Sequence, residues 1–178
     1  MDTIIILGDE DDKEIYTLFK AYFGDRCTAE SKFEICVSAA PDMLIIEKSS
    51  LFDIYAEKGI VIFKNSCNLK QIRTLPCGLI AVFDSKNAAV RNFLMGRSIS
   101  AVSCGLGTGD TLNISGIGDD AAVSLQRELA TLDGELNLPQ ELVVKNIGAL
   151  SEFSVMSLCA VLLLTRKSDG LSIDLNFH

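Results

Sequence analysis

The chain contains one histidine, His178, and it is the last residue. Without an internal histidine it can build neither a Ser-His nor a Cys-His nucleophile pair, and no metal site with two histidine ligands. There is no run of Lys or Arg, and 16 basic residues against 24 acidic ones give a net charge of −8. Such a charge repels phosphate backbones and anionic lipid surfaces, so the sequence predicts no nucleic-acid partner and no membrane partner. Long apolar runs are also missing. The longest, Val155–Leu164, is interrupted by Ser157 and falls far short of the roughly 20 residues that cross a bilayer; it reads as a buried helix. The start, Met1-Asp2-Thr3 followed by Ile4–Leu7, is too short and too acidic for an export signal, which predicts a cytoplasmic protein. None of the six cysteines (Cys27, Cys36, Cys67, Cys77, Cys104 and Cys159) forms a CxxC pair. In a chain without an export signal they are expected to be reduced, unbridged thiols.

What is present is an ordinary globular composition. Apolar residues make up 48% and charged residues 22% of 178 residues, enough for one substantial core and too apolar for disorder. With no linker, repeat or low-complexity stretch, a single domain over residues 1–178 is expected.

Apolar runs alternate with helical patterns through the first hundred residues. Strands are expected at Thr3–Leu7, Phe33–Val37, Met43–Glu47, Ile60–Phe63, Leu79–Phe83 and Ile99–Cys104. A helix over Asp12–Phe23 carries Ile15, Leu18, Phe19 and Tyr22 on one face; Asp11 and Glu14 form a capping pair at its start and Gly24 stops it. A second helix is expected over Lys86–Met95. After Gly105 the rhythm changes to strands at Thr111–Ser115 and Ala121–Leu129. A turn at Asp133-Gly134 leads to an irregular Leu136–Lys145 with Pro139, and a helix over Ser151–Thr165 is capped by Ser151. The fold class this implies is α/β: a mainly parallel sheet covered by helices, in P-loop or Rossmann-like order, with a small antiparallel hairpin region in the C-terminal half.

This order of motifs resembles the ATP-binding central domain of the Mur ligases. In that family a first strand runs into a T-G-T-N-G-K-T-T loop and a helix. Here Ile4–Leu7, then Gly8-Asp9-Glu10-Asp11-Asp12-Lys13-Glu14, then Ile15–Lys20 take the same place. Pro41-Asp42-Met43-Leu44-Ile45-Ile46 is similar to the family's "pDi-vv-TN" strand, and Gly78–Ser85 to its "G-vv-N-DD" strand. Ala101–Leu106 is similar to the "v-tyG" strand that precedes a hairpin, and Gly148–Leu164 to the closing helix. The resemblance implies a nucleotide-binding ancestry, but the residues that hold nucleotide are lost. Aligned on Gly8, the second glycine becomes Asp11, the phosphate-neutralising lysine becomes Asp12, and the Mg²⁺-binding threonine becomes Lys13. Each carboxylate at about 4 Å from a phosphate costs on the order of 4 kcal/mol at an effective dielectric near 20. The family's downstream Asp-His pair is absent too: Ser50-Leu51-Phe52-Asp53 has no histidine. The resemblance therefore implies a non-catalytic binding or assembly module that takes no cofactor.

Other readings of the same residues stay open. The acidic turn Asp9–Asp12 is either a solvated helix start, whose carboxylates complement the helix dipole, or a divalent-cation site with Asp9, Asp11 and Asp12 as ligands, serving a small ligase or transferase. In response-regulator receiver domains an acidic cluster follows the first strand and a phosphate-accepting Asp ends the third; Glu47 occupies that acceptor position here, as a fixed charge. The loop Cys104–Asp110 has the spacing G-x-G-x-G and opens a strand, so it reads as a connection and not as a dinucleotide cradle. Cys104 beside it lacks a basic neighbour in sequence and reads as an inert thiol. Arg91, Arg97, Arg127 and Lys145 read as scattered surface charges. A surface shaped to be covered by the two further domains of the family predicts self-association as a two-fold homodimer, with Thr111–Val144 as the contact.

Overall fold

The computed structural model describes residues 1–50, 53–117, 119–167, 170 and 172–176. His178, Leu51 and Phe52 lie outside them. The chain divides into two compact units, Met1–Ala101 and Val102–His178.

In the first unit β1 (Asp2–Leu7) is central and wholly apolar from Ile4 on. It pairs in parallel with β4 (Met43–Lys48) on one side and β5 (Gly59–Phe63) on the other. Beyond β5 lies β6 (Leu79–Asp84), again parallel; beyond β4 lie β2 (Cys27–Glu30), parallel, and β3 (Ile35–Cys36), antiparallel at the edge. Helix α1 (Glu14–Phe23) connects β1 to β2 and buries Ile15, Tyr16, Leu18, Phe19 and Phe23. Gly24 ends it at φ 51°, its N–H returning to the Lys20 carbonyl, a backbone angle that glycine adopts without strain. Helix α2 (Ala88–Met95) starts at Asn87, whose side chain accepts from the Val90 amide.

The expectation of a helix-covered, Rossmann-like sheet is overturned. Strand accounts for 36% of the described residues and helix for 22%, so strands outnumber the elements that were to cover them. Among the described residues only three α-helices occur, two of them in the first unit. Among the described residues, the connections from β4 to β5 and from β5 to β6 hold no α-helix, only a short 3-10 turn at Leu69–Gln71. One face of this sheet is sealed largely by such segments: Ile54 and Ile72 pack with Val90 and Leu94 of α2 against Ile5, Leu7, Val61, Phe63, Leu79, Ala81 and Phe83. The physical reason is that a strand apolar on both faces reveals that it is covered, not by what. The expected Asp11–Glu14 capping pair does not form either. The cap position of α1 is Lys13, with no side-chain cap bond.

In the second unit β7 (Ser100–Gly105), which brings the chain in, is joined in parallel by β8 (Leu112–Ile117). An antiparallel hairpin then leads to β9 (Asp120–Leu125), with β12 (Gln140–Lys145) antiparallel to β9 and β13 (Ser172–Asp174) parallel to β12. The single run expected over Ala121–Leu129 is interrupted: Leu129–Ala130 forms β10, which pairs with β11 (Leu136–Asn137) around Gly134 at φ 85°. Pro139, which has no amide to donate, separates β11 from β12. Helix α3 (Glu152–Thr165) starts at Ser151, which caps the Ser154 amide, and every residue from Phe153 to Leu164 is buried. Its last carbonyls find partners outside the helix: Leu163 accepts from Asn137 Nδ2, Leu164 from the Leu132 amide and Leu162 from the Lys167 amide. A buried helix end would otherwise leave these acceptors orphaned. None of the three helices is long and apolar enough to cross a membrane among the described residues.

All six cysteines are free; Cys27, Cys104 and Cys159 are buried and Cys77 is exposed. Burial in apolar surroundings pushes the Cys67 thiol up to about 11 and the Cys159 thiol up to about 12. Since the thiolate is the reactive form, a disulfide reagent added to the native protein near pH 8 should modify Cys77 first and leave Cys159 untouched until the chain unfolds. Denaturation without reductant should then expose all six groups. Fast native labelling of Cys159, or fewer than six free thiols after denaturation, contradicts the packing described.

Candidate functional site: a lysine-filled acidic turn

Parallel pairing brings the carboxyl ends of three strands to one level. Leu7 of β1 lies beside Lys48 of β4 and Phe63 of β5. The Gly8 amide bonds the Lys48 carbonyl and the Lys64 amide bonds the Leu7 carbonyl. The turn Gly8–Lys13 is thus set between the ends of β4 and β5. The strand order changes direction here, since the chain leaves β1 toward β2 and later crosses from β4 over β1 to β5. Open parallel sheets bind ligands at such a place.

What occupies the place is the chain's own lysine. The Lys64 ammonium donates to the Asp9 carbonyl at 2.9 Å, to the Asp12 carbonyl and to Glu47 Oε1 at 2.6 Å. Both side chains of the ion pair are buried, Lys64 at 1% and Glu47 at 0% exposure. Glu47 continues the inward row of β4 after Met43 and Ile45, so it enters the core by strand alternation. Its second oxygen, Oε2, is buried without a hydrogen-bond partner. Burial raises the Glu47 carboxyl above the usual carboxylate range, against the lowering effect of Lys64. The neighbouring Glu10 is nearly buried and accepts the Ser49 amide at 2.8 Å.

The candidate metal ligands Asp9, Asp11 and Asp12 are turned to local work. Asp9 Oδ1 accepts the Asp11 amide at 2.9 Å, and Asp12 Oδ1 accepts the Glu14 amide at 3.4 Å. Asp11 lies 3.6 Å from the Lys32 ammonium. All three are exposed. Among the described residues no group of three or more His, Cys, Asp and Glu side chains is disposed to hold a metal ion. Lys13 points away from the turn, with its ammonium 3.6 Å from the centre of the Phe33 ring. Glu47, placed at the acceptor position of a receiver domain, is enclosed. Cys104 is fully buried. In the glycine loop, the Gly107 amide bonds Asp110 Oδ2 and the Arg127 guanidinium donates to the carbonyls of Gly109 and Asp110. The loop is a tied connection, and Arg127 is its tie.

Sequence reasoning found the carboxylates of the turn and missed Lys64. A signal existed: Lys64 follows directly on β5, all of whose residues are buried, and a lysine in that position must find acceptors. Further along the same edge, Asn65 Nδ2 donates to Asp84 Oδ2 at 3.0 Å and Asn87 Nδ2 donates to Asn65 Oδ1 at 3.2 Å. These tie the ends of β5 and β6 to the start of α2. Site and strands together define a strand-rich α/β chain whose parallel-strand edge is closed by an internal ion pair. Neither a scan against protein-family models nor a search of curated proteins matched the chain.

Proposed function

We propose that the chain is a non-catalytic binding or assembly module. On this reading its motifs derive from a Mur-ligase-like ancestor whose nucleotide-holding turn has become a structural lock. The observation that carries this reading is the Lys64 ammonium inside the turn. A phosphate cradle works by converging backbone N–H groups on an anion. Here two backbone carbonyls converge on a cation, which is the opposite polarity. Several amides in and beside the turn are already engaged: Asp9 N–H donates to Ser66 Oγ, Asp11 N–H to Asp9 Oδ1 and Glu14 N–H to Asp12 Oδ1. A triphosphate at this position would have to displace those bonds and face Asp9, Glu10, Asp11 and Asp12.

Calorimetry with millimolar ATP and Mg²⁺ tests the reading, with Asp11→Ala and Asp12→Ala as controls. No heat of binding is expected from any of the three proteins. Each 1.4 kcal/mol is a factor of ten in affinity, so a dissociation constant below about 100 μM that either variant shifted would overturn it.

A further inference from the structure

We propose that Cys36 and Cys27 form a peroxide-responsive thiol pair, in which Cys36 is oxidised first and Cys27 resolves it to a reversible disulfide. The register of β2 with β3 sets Ala29 opposite Cys36, so Cys27 is the next residue of β2 on that same face. Both thiols line one open cleft of about 370 Å³, together with Lys20 and Ser38. Cys27 is 4% exposed and donates to the Gly24 carbonyl at 3.3 Å, whereas Cys36 is half-buried. What distinguishes Cys36 is its company. Its sulfur donates to Glu34 Oε2 at 3.8 Å, and the same oxygen accepts from the Lys20 ammonium at 2.6 Å. Glu34 first, and then Cys36, hold that ammonium above its ordinary value against partial burial. The Tyr16 hydroxyl, one turn earlier on α1, is buried without a hydrogen-bond partner and faces this cluster. Burial raises it above the ordinary phenol value, so it stands there as a neutral donor.

The chemistry follows from these groups. Glu34 accepts the Cys36 thiol proton, which leaves a neutral acid and a thiolate beside the Lys20 ammonium, with the charge of the cluster unchanged. The thiolate attacks one oxygen of hydrogen peroxide and the O–O bond breaks. Sulfur keeps that oxygen as a sulfenic acid. The departing hydroxide takes the Glu34 proton and leaves as water, with Tyr16 donating a hydrogen bond to it. The Cys27 thiol then attacks the sulfenic sulfur: the S–S bond forms, the S–O bond breaks, and the hydroxyl leaves with the Cys27 proton as a second water. Two thiols and one peroxide thus give one disulfide and two waters. Diagonal neighbours in an antiparallel ladder have Cα atoms about 7–8 Å apart, and a disulfide takes up to about 6.8 Å, so β3 must close by about 1 Å. β3 is two residues long and lies at the sheet edge beside the cleft, where such a shift disturbs little else. A disulfide made by that shift is strained and readily reduced, which makes the mark reversible.

The full, reduced chain is treated with hydrogen peroxide, its remaining thiols are blocked, and tryptic peptides are followed by mass spectrometry. Trypsin cuts after Arg26, Lys32 and Lys48, so a Cys27–Cys36 bridge joins two separate peptides. Bulky reagents favour the exposed Cys77, but hydrogen peroxide is little larger than water and enters the cleft. Cys36 should therefore be lost at least about tenfold faster than Cys77. The bridged peptide pair should accumulate, and a thiol reductant should remove it. Glu34→Gln and Lys20→Gln should each slow the loss of Cys36 at least about tenfold, with the circular-dichroism spectrum unchanged. Cys27→Ser should stop the reaction at the sulfenic acid, which a 1,3-diketone traps on Cys36. Cys36 oxidised no faster than Cys77, a bridge that omits Cys27 or Cys36, or a rate indifferent to both Glu34→Gln and Lys20→Gln each overturns the proposal.

Discussion

Lys64→Met should be among the most damaging single substitutions in the chain, lowering stability by about 3–5 kcal/mol near neutral pH, because it strands a buried charge. Glu47 would lose its counter-ion while remaining fully buried, and the carbonyls of Asp9 and Asp12 would lose the cation that gathers them. Chemical denaturation of Lys64→Met, Glu47→Leu and the double variant measures the coupling. The double variant should be less damaged than Lys64→Met alone, since removing both charges removes the uncompensated one. It should not be restored fully, because the two turn carbonyls still lack their donor. Additive losses would show that the two groups do not act as a pair.

The pH dependence has a definite sign. The native Glu47 carboxyl lies above its unfolded value because burial disfavours the anion. The folded protein therefore binds this proton more readily, and the Glu47 contribution to stability rises as pH falls through the native value toward the ordinary carboxylate range. Glu47→Gln should remove that rise. Glu34 behaves oppositely: the Lys20 ammonium beside it holds its carboxyl below the usual value. Its contribution is present above the ordinary range and lost as pH falls through the native value.

Gly8→Ala is expected to be nearly as costly, by roughly 2–4 kcal/mol, through overpacking and backbone strain combined. Gly8 has φ 152°, and a Cβ there would stand 2.5 Å from Lys64 Cβ and 2.9 Å from Lys64 Cδ. The lysine stem cannot retreat, because its ammonium is tied at three points and its amide is bonded to Leu7. Gly134→Ala is a useful comparison: Gly134 is at φ 85° with nothing within 4 Å of an added Cβ, so it carries the backbone strain without the clash. Thermal melts should rank Gly8→Ala clearly below Gly134→Ala. Equal losses would mean that the Gly8–Lys64 contact is not tight.

The sequence disclosed local structure well where one strong pattern covered a whole element. Ile4–Leu7, Met43–Glu47, Leu79–Phe83 and the apolar stretch of α3 lie where their patterns put them. It was weak where pattern was short: β2, only Cys27–Glu30, was missed although it pairs with β4 along its whole length. Pairing is non-local, and so is cover. Nothing in residues 49–78 announces that Ile54 and Ile72 seal a sheet face that helices were expected to seal. The site was half legible for the same reason. The carboxylates of Asp9–Asp12 are adjacent in sequence, whereas Lys64 reaches them only through the alignment of β1 with β5, and meets Glu47 only across β1.

That Lys64 fills the turn is tested most directly by amine labelling of the native protein. Acetylation followed by peptide mass spectrometry should modify exposed lysines such as Lys32, 58% exposed, while Lys64, 1% exposed, labels only through unfolding. For a domain of ordinary stability that means protection by a factor of about 10³ or more. Labelling of Lys64 at a rate comparable to Lys32, without denaturant, would contradict the account.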